Sequence, residues 1–406
     1  MQRVLPILSI WFLTLFALYA CTTSVPQIPV DKKPVSVAPV SEQAVPPAVE
    51  PEKPLPPAVS MEIPEPLLPS DGKSEPHIAL LLPLKSAIFG SAADAVQQGF
   101  LAAANLKKRG LLVRVYASLD ESKDIVTLYR QAIVNGARAV VGPLTRNGVS
   151  ALATRQNIPV PTLALNVVES QPAEQLYFFG MTAEPEARQV AQLARQQGLH
   201  QAIVIATRAQ LSQRLQFAFE EEWHNSGGMI LREIEFNDDP AVLADITDTP
   251  DTVVFLAANA EKSRSIRPYL SNRLPVYSTS QIFVGNDYTL TNYDLNGIRF
   301  VDVPWLLQPD HPAVMIYPRA NPPLSVDRER LYALGIDAYR LVQLLLANRV
   351  DTALPLDGVS GKIQLQGHVF LREPILAVFQ QGHAQLPGAP SSPVPEVFPA
   401  RIINVP

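Results

Sequence analysis

The stretch His77-Ile78-Ala79-Leu80-Leu81-Leu82 constrains this chain more than any other. A strand with one wet face alternates apolar and polar residues. An unbroken apolar run implies a strand buried on both faces, as in a parallel sheet covered by helices. Runs of the same kind return at 139–141, 202–206 and 253–257. Further strands are expected at 112–116, 161–165, 229–236 and 276–278. Helical stretches separate them at about 91–108, 123–135 and 210–226, the second closed by Gly136. Strand–helix alternation gives right-handed crossovers and an α/β fold. Two such series, joined near Gly180 and again near 301–307, predict two doubly wound parallel-sheet lobes. Ligands of open parallel sheets sit beyond the carboxyl ends of the strands. The inter-lobe cleft is therefore expected to be lined by Pro83, Leu84, Gly142, Pro143, Asn166, Thr207, Asn259, Thr279 and Ser280.

The residues argue against catalysis. Six histidines include no i, i+4 ligand pair, and the single cysteine lies outside the folded part, so the usual zinc sets are missing. No GxSxG, GxxxxGK[ST] or strand-following GxGxxG occurs. Neither an enzyme nor a metal or cofactor site is expected. The net charge of −5, with both signs interspersed and no basic stripe, excludes nucleic acid as a partner. Glu220-Glu221-Glu222 reads as a solvated helix face, and Asp239 before Pro240 as a helix start. Gly142-Pro143-Leu144-Thr145 is either a tight turn of the fold or an approach for a ligand, since the next helix offers free N–H groups to an anion. Asp337 lies in an apolar helix with Leu334, Ala338, Leu341, Val342 and Leu345 on one broad face. A hydrogen bond that supports the fold is the plain reading; a contact to ligand or hinge is the other. The cleft candidates are poor in charge and offer no clear set for an amino acid. Phe283, Tyr288 and Trp305 are candidate anchors of a protein interface, Trp305 being equally suited to burial between the lobes.

The ends differ in composition. Met1 to Ala20 has one positive charge and then an apolar run over 4–18, the layout of a secretory signal. Residues 22–76 carry 14 of the 39 prolines. Proline removes donors and fixes φ, so residues 21–76 read as a disordered tether, roughly 170 Å when extended and roughly 40 Å as a coil. The folded part is placed at 77–383, and a flexible Pro-rich tail at 384–406. Leu18-Tyr19-Ala20-Cys21 resembles the lipobox of bacterial lipoproteins, with Tyr19 departing from the usual small residue. The resemblance implies lipidation at Cys21. Thr22 in place of Asp implies an outer-membrane, periplasm-facing destination.

AVVGPLTRNGVSALATRQNIPVPTLALN resembles the strand–GP–helix–VP–strand unit of type I periplasmic solute-binding folds, and LYALGIDAYRLVQLLL (331–346) resembles their late helix. IALLLPL, GFLAA, GPLTRN, PTLALN, FGMTAEPEARQVA and YLSNRLPVYSTS, in this order, resemble the C-terminal domain of the LpoA family of penicillin-binding protein activator lipoproteins. The resemblance implies regulation of peptidoglycan synthesis by binding and activating a bifunctional class A penicillin-binding protein. The alternative is a lipid-anchored receptor with a small-molecule ligand in the cleft. One departure stands out: where long members carry a helical-repeat domain, this chain has the Pro-rich segment.

Overall fold

A computed structural model describes residues 75–107, 110–155 and 157–388. The signal peptide 1–20, Cys21, the tether as far as residue 74 and the tail from residue 389 lie outside the described residues.

The first lobe opens with β1 (His77–Leu82), buried at all six positions as its apolar run demands. Then follow α1 (Gly90–Asn105), β2 (Leu112–Ala117), α2 (Glu121–Val134), β3 (Ala137–Val141), α3 (Arg146–Ala153), β4 (Thr162–Ala164) and β5 (Leu176–Phe179). The chain crosses to the second lobe for α4 (Glu184–Gln196), β6 (Gln201–Ala206), α5 (Gln210–Asn225), β7 (Met229–Glu235), β8 (Thr252–Ala257), α6 (Ala260–Ile266), β9 (Val276–Ser278), the single turn α7 (Thr289–Asn292) and β10 (Ile298–Asp302). Short turns α8 (Pro304–Leu307) and α9 (Pro312–Met315) lead back to the long helix α10 (Val326–Leu346) of the first lobe. The turn α11 (Val350–Ala353) and strands β11 (Leu356–Asp357), β12 (Lys362–Gln366) and β13 (Val369–Glu373) complete that lobe. A third crossing at Pro374 returns the chain for β14 (Ile375–Gln380) and β15 (His383–Gln385).

The first sheet has the order β11-β12-β13-β5-β4-β3-β1-β2 and the second β15-β14-β10-β9-β8-β6-β7. The pairings from β1 to β10 within each lobe are parallel, as the alternation requires. Each sheet carries a separate core on each face. In the first lobe, α1 and α10 pack on one face, α2 and α3 on the other. Helices α1 and α10 meet backbone to backbone: a Cβ on Gly99 would sit 1.9 Å from the Tyr332 carbonyl oxygen, and one on Gly335 2.1 Å from that of Val96. Only glycine allows that approach.

Four expectations need amendment. The sheets are mixed, because β14 and β15 and the β11–β12–β13 meander bring antiparallel pairings. The folded part does not stop at His383, which begins β15; Gln385 still pairs with Val378. The reversal before it uses Gln381 and Gly382, both at positive φ, the geometry of a tight hairpin turn. There are three crossings rather than two. Finally, β5 and α4 had no assignment from pattern, although Glu184-Pro185-Glu186 is a helix-start signal: proline in the first turn with acidic residues beside it.

Candidate functional site

The carboxyl ends of β1, β2, β3 and β4 point at the second lobe across a cleft of about 820 Å³. Its first wall is built by the β1–α1 loop, the β2–α2 loop, the start of α3 and Asn166. Its second wall is Met181, Thr182 and Ala183 of the first crossing with Leu211 and Arg214 of α5. The lining is mixed, and most of its polar groups are already engaged.

Glu121 shows this most plainly. It sits in the first turn of α2, whose N-cap Asp120 accepts from Ser122 N at 3.1 Å. Its carboxylate accepts from Leu144 N at 3.1 Å and Thr145 N at 2.7 Å. Those amides precede α3, where an anion is favoured by free N–H groups and the helix dipole. The chain thus fills its own anion site. Glu121 is almost fully buried, and burial pushes its pKa up against the lowering effect of these hydrogen bonds. Thr145 accepts from Gly148 N at 3.2 Å and caps α3. Asn166 donates to Leu144 O at 3.1 Å and accepts from Val167 N at 3.0 Å. Arg214 pairs with Glu184.

At the base, the crossings are stitched by buried charge. Arg330 of α10 reaches from the first lobe to Asp302 at the end of β10, at 2.7 and 3.0 Å. It also donates to the carbonyls of Ser280 and Phe283, each at 2.9 Å. Burial pulls the Arg330 pKa down most strongly of any one influence, but the charge and hydrogen bonds of Asp302 together with the charges of Asp327 and Glu186 outweigh it, so the net shift is upward. Arg372 of β13 pairs with Glu186 of α4 at 2.7 Å, and Glu186 accepts from Ser280 N at 3.1 Å. Gln189 donates to the Pro374 carbonyl at 2.8 Å. Every group in this set other than the exposed Asp327, which also pairs with Arg330, is buried or half-buried.

The nine expected cleft residues therefore separate. Pro83 and Asn166 line the cleft. Leu84 is half-buried against the core, while Gly142 and Pro143 are buried. Gly142 serves the fold: its φ is +103°, and a Cβ there would sit 1.9 Å from the Leu81 carbonyl oxygen. Thr207 and Asn259 line a smaller concavity of the second lobe, where Asn259 caps α6. Thr279 and Ser280 are buried, Ser280 within the base network. Of the expected anchors, Tyr288 is 57% exposed, but Phe283 and Trp305 are buried at 4% and 0%. Phe283 stacks on Phe300, and Trp305 packs against Tyr332 with its N–H on Glu329, so neither presents a face to a partner. Asp337 accepts from Ser360 N and Oγ, both at 2.7 Å, and from Val359 N at 3.2 Å, a role inside the fold. Glu221 and Glu222 hold Arg188 and Gln192 of α4. Asp239 accepts from Ala241 N and starts a 3₁₀ turn rather than an α-helix. Among the described residues no His/Cys/Asp/Glu group could hold a metal, and no helix is long and apolar enough to cross a membrane.

Two doubly wound lobes, three crossings and a cleft at the strand ends define a protein of the periplasmic-binding-protein fold class. Residues 65–251 and 244–375 match the family described as "LppC putative lipoprotein", and the chain belongs to that family. Among curated relatives, the penicillin-binding protein activator LpoA of Photobacterium profundum is 26% identical over 344 residues, covering 75% of this chain and 56% of that protein. LpoA of Pantoea ananatis is 28% identical over 303 residues, covering 62% and 44%. The chain thus spans about half the length of the curated relatives it matches. Among solved structures, one from Chromobacterium violaceum described as a "putative branched-chain amino acid ABC transporter" is 36% identical with a TM-score of 0.66, covering 75% of this chain and all of that one. The C-domain of Haemophilus influenzae LpoA, described as a regulator of PBP1A, is 24% identical with a TM-score of 0.65, covering 76% of this chain and 99% of that one.

Proposed function

We propose that this protein is an outer-membrane-anchored regulator of peptidoglycan synthesis that binds and activates a class A penicillin-binding protein. The observation that carries the reading is Glu121, whose carboxylate sits on the two amides that an anionic solute would use. A receptor for amino acids needs those donors free and a carboxylate for the ligand amine. The activator relatives supply the other half of the argument, because the matched region contains both lobes.

The mechanism is reach plus allostery. Lipid at Cys21 holds the chain, the Pro-rich segment spans distance, and the two lobes dock on the synthase. Activation requires tighter binding to the active state of the enzyme, by about 1–3 kcal/mol for ordinary allosteric coupling. The chain acts by binding, without chemistry of its own. The test is to add the full chain to each class A penicillin-binding protein of the host and follow glycan polymerisation and peptide cross-linking. A saturable rise with one enzyme is expected; unchanged rates with all of them refute the reading.

A solute receptor is the second reading. The 36% identity to the Chromobacterium structure favours it. A clear rise in melting temperature with one amino acid would establish it.

A further inference from the structure

The mouth of the cleft carries three large apolar side chains in solvent: Ile88 is 81% exposed, Phe89 45% and Leu119 65%. They stand on two adjacent loops, since β1 pairs with β2 and Lys85 N donates to Ser118 O at 3.0 Å. Both loops are braced. Ser86 Oγ accepts from Phe89 N at 3.3 Å, and Asp124 accepts from Leu119 N at 3.0 Å and from Ser118 Oγ at 2.5 Å. The side chains are therefore presented by stiff backbone, which lowers the ordering cost of binding. Protein interfaces are centred on apolar anchors of this kind.

Among the exposed charges of these loops and of the cleft lining, only cations are left without an ionic partner. Asp120 is paired with Lys123, Arg214 with Glu184, and Glu121 is spent on the α3 amides. Lys85 and Arg146 are exposed, and neither joins an ion pair among the described residues.

We propose that Ile88, Phe89 and Leu119, flanked by Lys85 and Arg146, form a docking groove for an apolar segment bearing carboxylates on the penicillin-binding protein. This rests on the activator reading and assigns it a face. The groove sits at the inter-lobe cleft, and the positive flanks select acidic over basic segments and speed encounter at low salt.

The experiment measures binding of the full chain to the periplasmic part of the class A enzyme that it stimulates. Three variants are compared with wild type: Ile88→Ser with Leu119→Ser, Arg146→Glu, and Tyr288→Ser with Leu290→Ser in the second lobe as a control. All four positions outside Arg146 are exposed apolar or aromatic side chains, so the folds should be unaffected, as circular dichroism checks. The first variant should weaken binding roughly tenfold or more, the second should weaken it and flatten its salt dependence, and the control should bind as wild type. Equal binding by wild type and both groove variants overturns the groove and leaves the activator reading standing. Loss confined to the second-lobe variant moves docking to that lobe and overturns the groove too. Absence of wild-type binding to every class A enzyme overturns both. A thermal shift by leucine that Leu119→Ser removes would hand the groove to a solute instead.

Discussion

The base and the mouth of one cleft are built on opposite principles. At the base, charge is abundant and committed: Arg330, Asp302, Arg372 and Glu186 join strands and helices of both lobes, each with a partner at 2.7 Å. At the mouth, apolar surface is abundant and uncommitted. Buried ion pairs contribute little net stability because desolvation offsets their attraction, yet removing one partner strands the other. Exposed apolar groups cost nothing to remove and gain only when covered. The base therefore governs how the lobes are held, and the mouth governs what they can meet.

The largest effect is expected at the base. Asp302→Ala leaves the Arg330 guanidinium buried without two of its five hydrogen bonds and without its buried counter-charge, and should lower stability by about 3–5 kcal/mol in denaturant unfolding. Hydrogen exchange should rise at the lobe crossings; an unchanged unfolding curve would show that water reaches Arg330 freely. Asp337→Ala is the counterpart within one lobe. It strands Val359 N, Ser360 N and Arg340, and should cost about 2–3 kcal/mol with no added exchange at the crossings. Ile88→Ser with Leu119→Ser should change stability by less than about 0.5 kcal/mol, since surface substitutions seldom do more. A large loss there would mean that the mouth is part of the core after all.

The smallest effect tests the link between the regions. Burial holds the folded pKa of Glu121 above its ordinary 4.5. The folded protein then binds the proton more tightly than the unfolded chain. The stabilising contribution is full below about pH 4.5 and fades as pH rises through the higher folded pKa. Glu121→Gln removes this titration, so the melting-temperature difference between wild type and variant should vary across that window and be flat above it. A difference independent of pH would show that Glu121 is wet.

Much of this architecture was legible beforehand. The runs at β1, β6 and β8 sit where buried parallel strands sit, because only a strand covered on both faces drops its polar alternation. Pro83 and Asn166 fell on the cleft for the same topological reason. The misses share a cause. Phe283 and Trp305 have an interface composition and a core location, and composition does not say which side of a loop is wet. Glu121 gave no signal in a first-turn acidic position common to many helices. Arg330 and Asp302 are 28 residues apart, and Glu186 and Arg372 are 186 apart. No spacing rule links such positions.

The sequence by itself determined the fold class, the alternation of elements, the Pro-rich flank and the lack of catalytic motifs, since each follows from local periodicity or composition. The tertiary structure alone decided which polar groups are already satisfied. That depends on three chain crossings bringing distant residues together in a place without water. It is why the cleft looks open for a ligand in sequence, while in space its anion site is filled by Glu121 and only its apolar mouth remains free.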